Sequence, residues 1–277
     1  MIKKIIPIVF IVTSCMNAPD SFEWVNKLPP PWTMEDKDFE FYLDQFHDRY
    51  PDFNDRLKAI NLWRVGTPYG LYCLGEEDGK DNDPIIRYDS SDCTVHVLTT
   101  LAFAKSSTIE ESRSNMIDIH YKPDQENVKA PNYDLRWHFT SDRILNHPLT
   151  ADVTPSLVDP NNIEVFDIEL NKKQNGQPFL DLGWSSKETI AFIPSEKINT
   201  AVLSKLPPVC GVAFVKRDYF KLGIVIAHEG YLIDRSNLIH ASSEFEKTVN
   251  VNLLDYLKND DKNRFDGAMF FEIRSGQ

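Results

Sequence analysis

Apolar residues recur at helical spacing between Met34 and Leu62: Phe39, Tyr42, Leu43 and Phe46, then, past Pro51, Leu57, Ile60 and Trp63. This repeat predicts two helices packed on a core, the first opening on the acidic run Glu35-Asp-Lys-Asp38. Gly66-Thr-Pro-Tyr-Gly70 and the polar stretch from Gly75 to Pro84 read as loops. A third helix is predicted where Val97, Leu98, Leu101, Ala102 and Ala104 follow Ser90-Ser-Asp-Cys93. Ile117 to Tyr121 and Tyr133 to Phe139 read as strands or short segments around a long loop, residues 150–180 as irregular, Ile190 to Ile193 as a strand and Glu196 to Leu206 as a short helix. Gly211 to Val215, Leu222 to Ala227, Tyr231 to Ile233 and Leu238 to Ala241 are aliphatic runs divided by turn residues such as His228-Glu-Gly230. Their weak alternation predicts antiparallel strands in a sheet covered on both faces. Thr248 to Leu257 closes the pattern as a strand followed by a helical turn. The order predicts an α+β fold, with one helix packed against an antiparallel sheet and further helices N-terminal to it.

The opening residues follow a different pattern. Met1-Ile-Lys-Lys4 is basic, and Ile5 to Val12 is apolar but too short to span a bilayer. This is the layout of a secretory leader. Its end, Val12-Thr-Ser-Cys15, resembles a bacterial lipoprotein box. That likeness implies a signal peptide over 1–14, a lipid on the Cys15 thiol that anchors the chain to a membrane, a tether over 15–32 and one domain over 33–277. An ordinary leader cut slightly downstream is the other reading. Met16 rather than Asp after the cysteine implies, by resemblance to enteric lipoprotein sorting, a periplasmic, outer-membrane lipoprotein. With 42% hydrophobic residues and 17 Phe the chain can build a large core, and its net charge of -12 argues against nucleic acid as a partner.

Three cysteines follow the leader: Cys73, Cys93 and Cys210. In an oxidising compartment they predict one pair plus one free thiol, or none paired; Cys73–Cys210 with Cys93 free would suit a nucleophile, and Cys73–Cys93 would block it. Cys93 is the candidate nucleophile. With Asp92 as the helix cap, its sulfur faces unpaired N–H groups and the positive end of the helix dipole, which favours thiolate. Tyr69 and Glu76 lie in loops placed to border a cleft, although a loop glutamate such as Glu76 is more often a solvated charge. Arg136 could orient a substrate carboxylate or serve a structural ion pair. His120 and His138 lack ligand spacing, and there is no His-Glu-x-x-His, so neither a metal nor another cofactor is expected.

Gly66-Thr-Pro-Tyr69, Asp92-Cys-Thr94 opening a helix, the glycine-containing Leu222-Gly-Ile224 and Leu238-Ile-His-Ala-Ser-Ser243 together resemble the DUF1460 family. These are N-acetylmuramoyl-L-alanine amidase-like proteins related to the NlpC/P60 cysteine peptidases. Tyr133 to Trp137 and Val249 to Leu257 also keep the family's order, so the likeness runs over roughly residues 33 to 260. It implies a papain-like core, Cys93 as nucleophile, His240 as the polar residue of the second partner strand, and hydrolysis of an amide in peptidoglycan or muropeptide fragments. Cleavage would fall at the muramic acid–alanine bond or within the stem peptide. The family has a histidine before the aliphatic–glycine pair of the first partner strand, and the aligned residue here is Lys221. An ammonium shuttles protons poorly near neutrality, its reference pKa being about 10.4 against about 6.5 for imidazole. Three readings follow: His240 serves as base with Lys221 or a backbone carbonyl orienting it, His228 or His96 is recruited, or the protein binds peptidoglycan without cleaving it.

Overall fold

A computed structural model describes residues 22–259 and 262–276. The leader, Cys15 and the first part of the tether lie outside the described residues. No helix among the described residues is long and apolar enough to cross a membrane.

The two N-terminal helices form as predicted. Helix α1, Asp36–Arg49, buries Phe39, Leu43 and Phe46, with acidic residues in its first turn and His47 and Arg49 in its last, matching the dipole at both ends. Pro51 ends it, and Asp52 caps α2, Phe53–Trp63, accepting from the N–H groups of Asn54 and Asp55 at 2.9 and 3.0 Å. Helix α3, Cys93–Ala104, is buried from Val95 onward. Helix α4, Ile109–His120, is capped by Thr108, and α5, Thr140–Asn146, follows a short 3-10 turn at Tyr133–Leu135. Short helices complete the set: α6 (Thr154–Leu157), α7 (Thr200–Leu203) and α8 (Leu253–Tyr256).

The strands are β1 (Thr150–Asp152), β2 (Glu164–Leu170), β3 (Ser186–Pro194), β4 (Val209–Val215), β5 (Ile226–Ile233), β6 (Asn237–Ser242), β7 (Lys247–Asn252), a small ribbon of β8 (Lys258–Asn259) and β9 (Lys262–Asn263), and β10 (Gly267–Ile273). The main sheet runs β2-β3-β10-β4-β5-β6-β7, with β1 on β10, and all its pairings are antiparallel. Alternate residues of β4 feed two cores. Ala213 and Val215 join α2, α3 and Tyr231 on one face, while Val212 and Phe214 join Leu232, Leu253 and Phe270 on the other. The α+β class and the doubly covered sheet are as predicted.

Several local predictions are corrected. Ile117 to His120 is the last turn of α4 because Met116 and Ile119 share its buried side; of the two strand-like segments only a Tyr121–Arg136 bridge forms. The stretch thought irregular holds β2, an edge strand whose largely exposed residues give no apolar run. Leu222 ends a 3-10 helix, Arg217–Leu222, closed by Gly223 at φ 73°, a left-handed turn that favours glycine. His228-Glu-Gly230 therefore lies inside β5, and the hairpin turn is at 234–236, where Asp234 and Arg235 both have positive φ. Cys73, Cys93 and Cys210 are all free, and Cys210 is sealed in the second core, so the Cys73–Cys210 bridge does not form.

Candidate active site

Cys93 opens α3 because Asp92 caps it. One carboxylate oxygen of Asp92 accepts from the Val95 N–H at 2.8 Å, and the other accepts from the Tyr72 N–H at 3.1 Å. The cap thus pins the loop after Tyr69 to the helix head. Pro68, Tyr69 and Gly70 run beside Ser91, held by Ser91 N–H to Pro68 O at 3.0 Å and Gly70 N–H to Ser91 O at 3.2 Å. Beneath them Arg64 is fully buried. It donates to the His96 carbonyl, to Thr99 and Thr100, and to Ser91 Oγ at 2.9 Å. It meets hydroxyls and a carbonyl rather than a carboxylate, and burial pushes its guanidinium down to about 9. Tyr69 sits close enough to the head of α3 that burial and the charges of Cys93 and Asp92 raise its hydroxyl.

Cys93 as a residue is half-buried and its sulfur is uncrosslinked. It lies against the backbone N–H of Glu229 and the hydroxyl of Thr94, which favour thiolate, but burial and the carboxylates of Glu229 and Asp92 outweigh them and push the thiol up to about 12. The expectation of a resting thiolate is therefore corrected. A helix dipole contributes about 0.3–2 kcal/mol, and each pKa unit corresponds to about 1.4 kcal/mol, so the dipole cannot offset that shift.

Glu229 is 1% exposed. Its carboxylate accepts from Thr94 Oγ1 at 2.9 Å and Thr140 Oγ1 at 3.0 Å and is ion-paired with the buried Arg143. The cluster fastens the first turn of α3 and the start of α5 to β5. Glu229→Gln keeps the hydroxyl partners and removes the charge. It is expected to move the iodoacetamide alkylation profile of Cys93 to lower pH by about one unit or more; an unshifted profile would show that Glu229 does not govern the thiol.

Next to Glu229 along β5 stands His228, and its Nε2 lies 2.7 Å from Nδ1 of His240 on β6. Gly230 allows this approach, since a Cβ there would meet Ile239 O at 2.7 Å and the His240 Cβ at 2.9 Å. His228 stacks on Phe214 and Phe265, and Tyr256 packs on His240 with ring centroids 4.5 Å apart. Burial lowers His228 to about 3 and His240 to about 4, so both imidazoles are neutral near pH 7. Among the described residues no hydrogen bond joins Cys93 Sγ to an imidazole.

The other sequence candidates divide. His96 is fully buried, with its Nε2 held by Asn61 Oδ1 at 3.1 Å, which makes it a core residue. Lys221 is exposed on the 3-10 turn before β5, in a groove with Phe166 and Lys172 that does not contain Cys93. The structure does not bring it to the sulfur. Glu76, far from being a solvated charge, is buried in an ion pair with Arg136, which also meets Asp81 at 2.9 Å. The guanidinium is thereby engaged by two carboxylates, the structural role left open by the sequence. Missed altogether were Glu229, Arg143 and Thr140. Their polar character was visible, but only the β5 register brings them together. His228 was misplaced because Leu222-Gly-Ile224 looked like the glycine-containing strand, whereas His228-Glu-Gly230 lies in β5, where the Glu229 side chain meets α3 and His228 packs on Phe214 and Phe265. Among the described residues no group of three or more His, Cys, Asp or Glu could hold a metal ion.

A free cysteine at the head of a helix, laid on an antiparallel sheet whose neighbouring strands carry paired histidines, gives the fold an α+β class. The chain belongs to the AmiA-like family, N-acetylmuramoyl-L-alanine amidase-like, which matches residues 60–264. Six chains of solved structures match it, two of them as follows. Protein LPG0564 of Legionella pneumophila, of the DUF1460 family, is 22% identical with a TM-score of 0.69, over 86% of this chain and 95% of that one. An N-acetylmuramoyl-L-alanine amidase from Bacteroides uniformis is 19% identical with a TM-score of 0.58, over 80% of this chain and 99% of that one. Likeness at these identities establishes the fold alone. No curated protein matches the chain.

Proposed function

We propose that the protein is a cysteine-dependent hydrolase of an amide bond in peptidoglycan or its fragments, built on a papain-like NlpC/P60 core. The observation that carries this reading is the free thiol at the head of α3 with the His228–His240 couple on the adjoining strands. Cys93 Sγ attacks the amide carbonyl while His228 takes the thiol proton. His240 orients that imidazole through their mutual hydrogen bond. Thiol and imidazole ionise as a pair, each new charge favouring the other, so their separate resting states do not bar the step. Hydrogen bonds of this kind are often long or absent before substrate binds. The oxyanion is received by the Cys93 backbone N–H, left over at the helix start. The amine leaves with the proton from His228, and water, deprotonated by the same imidazole, hydrolyses the thioester and restores the thiol. Tyr69 and Asp92 border the reacting atoms. We carry the leader, the Cys15 lipid anchor and a periplasmic, outer-membrane location as part of this proposal.

A second reading, a peptidoglycan-binding protein on the same scaffold, is favoured by the high resting pKa of the thiol. Digestion of purified peptidoglycan and soluble muropeptides by wild type and Cys93→Ala separates the two. The expected result is Cys93-dependent appearance of new amino termini. Equal, background-level release from both proteins would end the amidase reading in favour of binding.

A further inference from the structure

The three thiols among the described residues have unlike surroundings. Cys210 is sealed in the second core. Cys93 faces the carboxylates of Glu229 and Asp92, which together with burial keep it protonated. Cys73 is half-buried and uncrosslinked, and the Tyr72 N–H on Asp92 ties its loop to the head of α3. Its sulfur rests against neutral groups, the Leu71 carbonyl at 3.4 Å and Ser90 Oγ at 3.8 Å. The Arg87 guanidinium, which also pairs with Asp89, donates to its carbonyl at 3.3 Å. Neither sealed nor faced by carboxylates, Cys73 is the thiol best placed to meet a reagent.

Cys73 lines a hollow of about 470 Å³ that reaches Asp92 and Thr94, the neighbours of Cys93 in the chain. Two polar groups in its wall lack a partner. His120 is 7% exposed and its Nδ1 has no hydrogen bond, and the indole N–H of Trp137 is buried and unpartnered as well. Buried polar atoms are nearly always paired, so these two mark a ligand's place in the hollow that Cys73 lines. Burial holds His120 neutral, so the pair offers one ring nitrogen that can accept and one N–H that donates. The guanidinium in the wall, Arg136, is matched by Glu76 and Asp81. Asp92 is then a surplus negative charge, which attracts an ammonium and disfavours a ligand of net negative charge.

We propose that Cys73 is a reversible modification site for small disulfides of the cystine class. The Cys73 thiolate attacks one sulfur of the disulfide. A bond from Cys73 Sγ to that sulfur forms, the original sulfur–sulfur bond breaks, and the other half leaves as a thiolate that takes up the proton Cys73 gave up. The aminothiol left on Cys73 directs its ammonium to Asp92 and His120 and its carboxylate to the Trp137 N–H, and it fills the hollow against both chain neighbours of Cys93. Excess free thiol reverses the exchange. The modification site stands by itself; its consequence, exclusion of substrate from Cys93, rests on the amidase reading.

The test treats the full chain with cystine or with glutathione disulfide and maps the adducts by peptide mass. Cystine is expected to add one half to Cys73 at least about tenfold faster than to Cys93 or Cys210. Glutathione disulfide, which carries more carboxylates than ammonium groups, should react at least about tenfold more slowly than cystine. Trp137→Phe keeps an aromatic ring and loses the N–H. It should slow the cystine reaction about three- to tenfold and leave iodoacetamide alkylation of Cys73 unchanged. First reaction at Cys93, equal rates with the two disulfides, or an unslowed cystine reaction in Trp137→Phe would each overturn the site. Muropeptide hydrolysis should fall in proportion to the Cys73 adduct, return with dithiothreitol, and keep its untreated rate in Cys73→Ser given the same treatment. A complete Cys73 adduct with undiminished Cys93-dependent hydrolysis would overturn the exclusion and leave the amidase reading standing. Hydrolysis by untreated wild type no faster than by Cys93→Ala would end that reading and leave the adduct map to decide the site.

Discussion

Replacing His228 by alanine is expected to lower kcat for Cys93-dependent amide hydrolysis by roughly two to four orders of magnitude, the range of a positioned general base. The expectation is large because the sulfur rests protonated, its thiol pushed up to about 12, and cannot attack until something takes its proton. His228 is the candidate because it adjoins Glu229, whose backbone N–H meets that sulfur, and because burial keeps its ring neutral and able to accept. His240→Ala removes the 2.7 Å partner of His228 and should cost less, since an unoriented imidazole can still take a proton. Lys221→Ala should leave kcat unchanged, its side chain being exposed in another groove. Measuring kcat for the three variants against one muropeptide checks the order. Wild-type turnover in His228→Ala, with loss in Lys221→Ala, would reverse the assignment.

The second large effect is acid unfolding. His96, His120, His147 and His240 are buried and held neutral, His96 and His120 well below the ordinary histidine value and His147 and His240 lowered to about 4, in each case chiefly by burial. In the unfolded chain the same rings titrate near 6.5. Below that pH the unfolded state binds protons that the folded state cannot, so stability is present above about pH 6.5 and is lost as pH falls toward 4. Each ring contributes a slope of up to about 1.4 kcal/mol per pH unit, and a domain of this kind has only about 5–15 kcal/mol to lose. Far-UV circular dichroism between pH 8 and 4 should therefore show cooperative unfolding around pH 5. Unchanged ellipticity and unchanged near-UV signal at pH 4.5 would mean that these rings protonate in place.

The helices were legible because each rests on information local in the chain. Phe39, Leu43 and Phe46 give the period of α1, and Asp52, Asp92 and Thr108 are caps whose partners lie within three residues. Cys93 could be placed at a helix head for the same reason. The strands were legible where they were apolar, as in β4, and not where they lie at an exposed edge, as in β2. What could not be read was register. His228, Glu229 and Gly230 look like a turn by composition, and only their pairing opposite Phe214, Ala213 and Val212 makes them mid-strand. The function of Glu229 depends on Arg143 and Thr140, far away in the chain, and no local pattern announces such a partner. Arg136 had two readings on paper, and Glu76 and Asp81, brought to it by folding, are what decide between them.

Strand β10 is the last segment of regular structure among the described residues, yet it lies in the interior of the sheet, between β3 and β4. Until residues 267–273 arrive, β2 and β3 remain a separate hairpin and one edge of β4 stays bare. Assembly of the sheet must therefore wait until residues 267–273 have been made, and the nascent chain meanwhile exposes sticky, unpaired backbone, the condition in which folding is slow and holding factors matter most.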